Sequence, residues 1–107
     1  MAYKVEFIPK AEEDFRDLDK SLKKEAAKKI DALSGNPFLG RPLGNRLGMN
    51  LTGFYKLYFH RKRYRIVYRF SEDRIEVIEI IGIGERDKKE IYKLVSKRIR
   101  GLLKGAS

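Results

Sequence analysis

Residues 55–68, Tyr-Lys-Leu-Tyr-Phe-His-Arg-Lys-Arg-Tyr-Arg-Ile-Val-Tyr, alternate in character on either side of a short cationic run. Successive side chains of a strand point to opposite faces. Tyr55, Leu57 and Phe59 therefore share one face, and Lys56, Tyr58 and His60 share the other. Arg61-Lys62-Arg63 reads as a turn. Beyond it Tyr64, Ile66, Tyr68 and Phe70 fall on one face, with Arg65, Val67 and Arg69 opposite. When both apolar faces meet the core, Lys56, Tyr58, His60, Arg65 and Arg69 stand together on an open sheet face. Cations beside aromatic rings suit a polyanion whose bases stack. The pattern points to RNA, with Arg61, Lys62 and Arg63 placed at a hairpin tip for phosphate contacts.

The remaining periodicities frame this hairpin. Residues 3–7 alternate and are closed by Pro9, which predicts a first strand. From Lys10 the spacing turns helical: Ala11, Phe15, Leu18 and Leu22, then Ala26, Ala27, Ile30 and Leu33. Asp19-Lys20-Ser21 separates two helices, with Ser21 the expected N-cap. Gly35-Asn36-Pro37 ends this helical hairpin, and residues 37–53, with Pro37, Pro42 and glycines 40, 44, 48 and 53, read as a loop. Three strands follow, about 54–61, 64–71 and 74–83, the last two joined by a tight turn at Glu72-Asp73. Residues 84–87 read as a loop. Ile91, Leu94, Val95, Ile99, Leu102 and Leu103 then mark an amphipathic terminal helix. The expected fold is a single α+β domain over residues 1–107, ordered β-α-α-β-β-β-α. Its four-stranded, antiparallel-dominated sheet carries the helical hairpin on one face.

Composition narrows the function. A chain of 107 residues has room for one modest core. Its net charge of +10 favours nucleic acid, an anionic membrane or an acidic protein partner. No apolar run approaches the length of a membrane span, and no secretory signal is visible at the start, so no membrane partner and a cytoplasmic location are expected. There is no cysteine, which excludes disulfides and thiolate zinc sites. His60 is the only histidine, so an acid/base pair of two histidines cannot exist within the chain. The acidic residues lie mainly on predicted helix surfaces, where they do not converge as a magnesium nuclease needs. No phosphate-binding glycine loop is present. Neither metal nor cofactor is expected.

Any catalysis then falls to Lys, Arg, Tyr and the single His, and that set suits RNA cleavage. The 2′-hydroxyl is a nucleophile already tethered beside the phosphate. Lys and Arg complement the charge that develops on the nonbridging oxygens. Crowded cations also lower the pKa of a neighbouring Lys or Tyr, helping with the proton. DNA lacks the 2′-hydroxyl and is inert by this route.

At these residues the chain resembles the RelE/ParE toxin superfamily, the toxin halves of type II toxin–antitoxin pairs. The resemblance covers nearly the whole length: Tyr3-Lys-Val-Glu-Phe, the helical hairpin from Ala11, Asn36-Pro37, Leu51-Thr-Gly-Phe-Tyr-Lys, Tyr64-Arg-Ile-Val-Tyr68, and Gly84-Glu-Arg86 followed by Ile91-Tyr92. The set Lys56, Arg86 and Tyr92 is similar to the RelE branch, whose members cleave mRNA in the ribosomal A site. The resemblance implies that Lys56 and Arg65 bind the scissile phosphate. It implies that Arg86 serves the leaving group and that Tyr92 orients a base or assists the 2′-hydroxyl. It also implies a cognate acidic antitoxin, contact with ribosomal RNA, and a monomeric toxin or a toxin–antitoxin hetero-oligomer. The RelE pattern has a second lysine, a candidate general base, two residues after the first; here that position is Tyr58. The ParE branch, which acts on DNA gyrase, and a noncatalytic RNA-binding module are the alternatives.

Overall fold

The computed structural model describes residues 3–46, 49–71, 74–85 and 97–99. The first strand, β1 (Lys4–Phe7), runs into helix α1 (Pro9–Asp17). Pro9 opens α1 at a position where its fixed φ suits the helix and its missing N–H is no loss. Leu18 turns extended and stops α1 after nine residues. Asp19 then caps α2 (Lys20–Gly35), its carboxylate accepting from the Leu22 N–H at 3.1 Å. The sequence reading placed the cap at Ser21. That hydroxyl instead donates to Asp19 at 3.0 Å, because Asp19 is the residue with extended backbone at the helix boundary. Leu22, Ala26 and Leu33 supply the buried stripe of α2. The end of α2 is stitched to the start of β1 where the Tyr3 N–H donates to the Ser34 carbonyl and the Ser34 hydroxyl to the Tyr3 carbonyl, both at 2.8 Å.

The sheet has five strands, one more than the sequence predicts. They are β1, β2 (Arg41–Arg46), β3 (Met49–Phe59), β4 (Tyr64–Phe70) and β5 (Val77–Glu85), in the order β1-β5-β4-β3-β2. Three pairings are antiparallel, and β1 lies parallel to β5, Lys4 opposite Val77 and Phe7 opposite Ile80. The added strand is β2, inside the segment expected to be a loop. It sits at the sheet edge, where a proline is tolerated because its missing N–H faces no partner strand. Its register slips between Pro42 and Gly44, and the positive φ of Gly44 (62°) and of Gly53 on β3 (90°) absorbs the irregularity. The third predicted strand also shifts: β5 begins only at Val77 and runs through Gly84 and Glu85, which the sequence assigned to a loop. Of the expected terminal helix, 97–99 is helical; the rest, and the Glu72-Asp73 turn, fall outside the described residues.

The core lies where β4 and β5 run through the middle of the sheet. Ile66, Val67, Tyr68, Ile78, Ile80 and Ile81 are fully enclosed. Tyr68 anchors the crossing from α2 to β2. Its hydroxyl donates to the Pro37 carbonyl at 2.8 Å and accepts from the Gly40 N–H at 2.9 Å. A Cβ on Gly40 would stand 2.6 Å from that hydroxyl and 2.7 Å from the Lys56 carbonyl oxygen, so only glycine fits. Burial pushes the Tyr68 phenol above its ordinary pKa, the Gly40 N–H opposing the shift.

Beyond Ile80, β5 has outrun β1, and its free edge is sealed by side chains. Asp14 of α1 accepts from the Ile83 N–H at 3.1 Å. Arg98 donates to both oxygens of Asp14, at 2.7 and 3.0 Å, and to the Ile81 carbonyl at 2.9 Å. Backbone groups that a neighbouring strand would have satisfied are thus occupied.

Candidate functional site: a cationic sheet face

Register decides which side chains meet. Tyr58 pairs with Arg65, Lys56 with Val67 and Phe54 with Arg69 across the β3–β4 ladder. Residues directly opposite in an antiparallel pair project to the same side. Phe54, Lys56, Tyr58, Arg65, Val67 and Arg69 therefore share the face predicted from parity. The Tyr58 ring is the centre of it. Lys56 Nζ lies 5.2 Å and Arg65 Cζ 5.4 Å from the ring centroid, both within cation–π range. On β5, Gly84 stands opposite Arg65 and Gly82 opposite Val67, leaving no side chain to crowd the guanidinium from that strand.

The face is not the open array the sequence suggested. Arg65 is only 4 % accessible and Val67 is fully buried, since β4 is a central strand enclosed on both sides. Lys56 and Tyr58 are half-buried and carry the accessible part of the cluster. Arg69 is engaged: its Nε donates to Glu79 at 3.0 Å, both side chains under one-fifth exposed, and its guanidinium lies 5.7 Å from the Phe54 ring centre. The β4–β5 register sets Arg69 opposite Glu79.

His60 leaves the face altogether. The strand ends at Phe59, and His60 takes a φ of +53°, which breaks the alternation. Its ring swings to α2, with Nδ1 3.1 Å from Glu25 Oε2. It also meets Tyr64 edge-on at 6.0 Å. Arg61, Lys62 and Arg63 occupy the exposed hairpin tip, as predicted. Arg86 and Tyr92 lie outside the described residues. Sequence reasoning missed Phe54 and Glu25. The parity that paired Lys56 with Tyr58 already placed Phe54 on the same face, but nothing local links Glu25 to a histidine 35 residues away.

What the arrangement offers is a phenol held between two cations, one of them withdrawn from water. In a poorly solvated site a buried guanidinium acts on neighbouring charge far more strongly than on a wet surface. A phosphate approaching Lys56 and Tyr58 would feel Arg65 behind them.

Residues 5–90 match the family profile described as ParE toxin of type II toxin–antitoxin system, parDE. The chain belongs to the RelE/ParE toxin superfamily. Within that superfamily it is similar to the mRNA interferase toxin RelE of Escherichia coli K12. The two are 28 % identical over 99 residues, covering 92 % of this chain and 99 % of the relative. The fold of this superfamily member also superimposes on solved RelE structures. A free E. coli RelE carrying two arginine-to-alanine substitutions matches with a TM-score of 0.71 and 26 % identity, over 92 % of this chain and 99 % of that one. The RelBE2 toxin–antitoxin complex of Mycobacterium tuberculosis matches with a TM-score of 0.62 and 26 % identity, over 80 % of this chain and 100 % of that one. Among the described residues no helix is long and apolar enough to cross a membrane.

Proposed function

We propose that this superfamily member is a ribosome-dependent mRNA endonuclease toxin that cleaves without metal and is neutralised by a cognate acidic antitoxin. The observation that carries the reading is the Lys56–Tyr58–Arg65 cluster, two cations on one phenol ring in a sheet face. Its support from relatives is the mRNA interferase RelE and the RelE structures, including toxin–antitoxin complexes. In this reading Lys56 contacts the scissile phosphate and stabilises the charge that builds on its nonbridging oxygens. Arg65, too buried to reach far, backs Lys56 and Tyr58 with fixed positive charge. The 2′-hydroxyl attacks the adjacent phosphorus, its proton leaves to a base on the enzyme, and the 5′-oxygen departs, leaving a cyclic phosphate. Tyr58 stands where the RelE pattern has its second lysine, its ring within cation–π range of Lys56 and Arg65, and it is our candidate for that base. Arg86 would protonate or stabilise the leaving oxygen and Tyr92 would orient a base, both by family resemblance.

The experiment is in vitro translation with purified toxin. Cleavage of ribosome-bound mRNA that survives EDTA at constant ribosome integrity, with cyclic or 3′-phosphate ends, is the expected result. A 3′-hydroxyl end, or a metal requirement of the toxin itself, refutes the internal-nucleophile route. Tyr58 in place of lysine favours a second reading, a ParE-like inhibitor of DNA gyrase. Induction in a bacterial host separates the two: cut mRNA at translated codons for the first, a DNA-damage response with intact mRNA for the second.

A further inference from the structure

Strand register arranges the cationic face in rows that run across the sheet. One row holds Tyr58 and Arg65 and ends on Gly84 of β5. The next holds Arg41, Lys56 and Val67 and ends on Gly82. The third holds Phe54, Arg69 and Glu79 and continues to Glu6 on β1. Residues paired on neighbouring strands project to the same side. Arg41 therefore stands beside Lys56 on the edge strand, and it is exposed. The expectation of a loop over residues 37–53 concealed this neighbour.

The third row carries its charge differently. Lys56 and Arg65 converge on the Tyr58 ring, but Arg69 is turned on a carboxylate. Its Nε donates to Glu79 at 3.0 Å, and Phe54 covers a flank of the guanidinium at 5.7 Å. Glu79 in turn stands next to Glu6, which is braced from the outside by Arg74 at 2.7 Å and Lys4 at 3.5 Å. Two carboxylates thus lie side by side on strands about 4.8 Å apart. A phosphate approaching Arg69 would have to displace an acceptor already in place, and would meet Glu6 behind it. The Arg69 and Glu79 side chains are under one-fifth exposed, where such repulsion is little screened. Toward β2, by contrast, the row through Lys56 leads to another cation, Arg41.

We propose that Glu79 sets substrate specificity: by holding Arg69 it closes the β5–β1 side of the face to phosphate, so that an RNA strand crosses from Tyr58 over Lys56 and leaves by Arg41. The proposal rests on the endonuclease reading for its substrate. Glu79 acts as a positioning residue, since it touches Arg69 and not the RNA. Its effect is to limit the face to few phosphate contacts. Charge alone then binds free RNA weakly, and the strand has to be presented.

The decisive variant is Glu79→Gln, which keeps the shape and an acceptor for Arg69 but removes the negative charge. The probe is a short single-stranded 2′-O-methyl RNA, which offers phosphates and bases but no nucleophile. Its affinity should rise at least about threefold, and the salt slope should steepen by about 0.7, the value for one phosphate contact on a single strand. Lost folding would move affinity the other way. E79Q/R69Q, which strands no charge, should bind as the wild type does, and it decides the matter even where the single variant folds poorly. Arg41→Gln, at the exposed edge, should lose at least about threefold in affinity and flatten the slope by about 0.7. Unchanged affinity and slope in a folded Glu79→Gln overturn the proposal. So does a double variant that binds more weakly than wild type, which would show Arg69 to be in use. Arg41→Gln without effect overturns the path across β2. Should the shifts appear while the wild type cuts no ribosome-bound mRNA, the endonuclease reading fails and the role of Glu79 in RNA binding stands.

Discussion

Removing the Asp14 carboxylate tests how the free edge of β5 is held. In the folded chain Asp14 accepts from Ile83 N–H and, through both oxygens, from Arg98. The two side chains are only 17 % and 10 % exposed, so Asp14→Ala strands a guanidinium in a poorly solvated place and leaves the Ile83 N–H without its acceptor. Breaking a buried ion pair by deleting one partner costs about 3–5 kcal/mol, and a lost buried backbone bond contributes within that range. Against a total stability of about 5–15 kcal/mol for a domain of this kind, the loss is large. Urea unfolding followed by far-UV circular dichroism and tyrosine fluorescence gives the measurement, the chain having no tryptophan. The midpoint should drop with the slope unchanged. Replacing both partners, as Asp14→Ala with Arg98→Met, should recover about half or more of the loss, because no charge is then stranded. A single mutant within about 1 kcal/mol of wild type, or a double mutant whose loss is the sum of the two singles, contradicts this account of the edge.

Three further expectations follow from the geometry. Gly40→Ala should cost about 3 kcal/mol, since its Cβ would collide with the Tyr68 hydroxyl and the Lys56 backbone; Tyr68→Phe, which orphans the Pro37 carbonyl and the Gly40 N–H, should cost about 1–3 kcal/mol by the same unfolding assay. Lys56→Ala should lower single-turnover cleavage by about 100-fold or more, and Tyr58→Phe should do likewise only if the hydroxyl carries the proton; full activity in Tyr58→Phe assigns the base elsewhere. The Leu22 N–H and then the Ser21 hydroxyl hold the Asp19 carboxyl below its ordinary range. Its contribution is therefore complete above the unfolded value near 4 and disappears as pH falls through the lower, folded one. Asp19→Asn, which can still cap, should flatten this part of the acid limb in unfolding midpoints measured from pH 5 to 2.

Strand parity carried the hairpin a long way. It placed Lys56, Tyr58, Arg65 and Arg69 on one face because alternation is a property of the chain itself, and the ladder register agrees. Parity cannot say how thickly a face is covered. Arg65 and Val67 read as exposed but are buried, on a strand flanked by β3 and β5. It also fails where the backbone leaves the extended region, as at His60, where a positive φ turns the ring to α2. The Pro- and Gly-rich β2 was hidden for a different reason: at an edge, pairing with β3 on one side outweighs poor strand propensity. The resemblance to RelE/ParE toxins was legible from dispersed motifs, and the family match agrees.

The parallel pairing of β1 with β5 has a consequence for synthesis. Lys4 finds Val77 only after the intervening helices and three strands have been made, and Ile83 finds Asp14 later still. A nascent chain thus carries an N-terminal strand with nothing to pair with for most of its translation, and the sheet gains its last neighbour when the C-terminal third emerges. Long-range parallel closure is slow and comes after the local hairpins. A truncated product ending before β5 would lack both the strand that lies opposite Arg65 and the seat for β1. The five-stranded sheet therefore closes only once β5 has been made, however early its other strands and helices form.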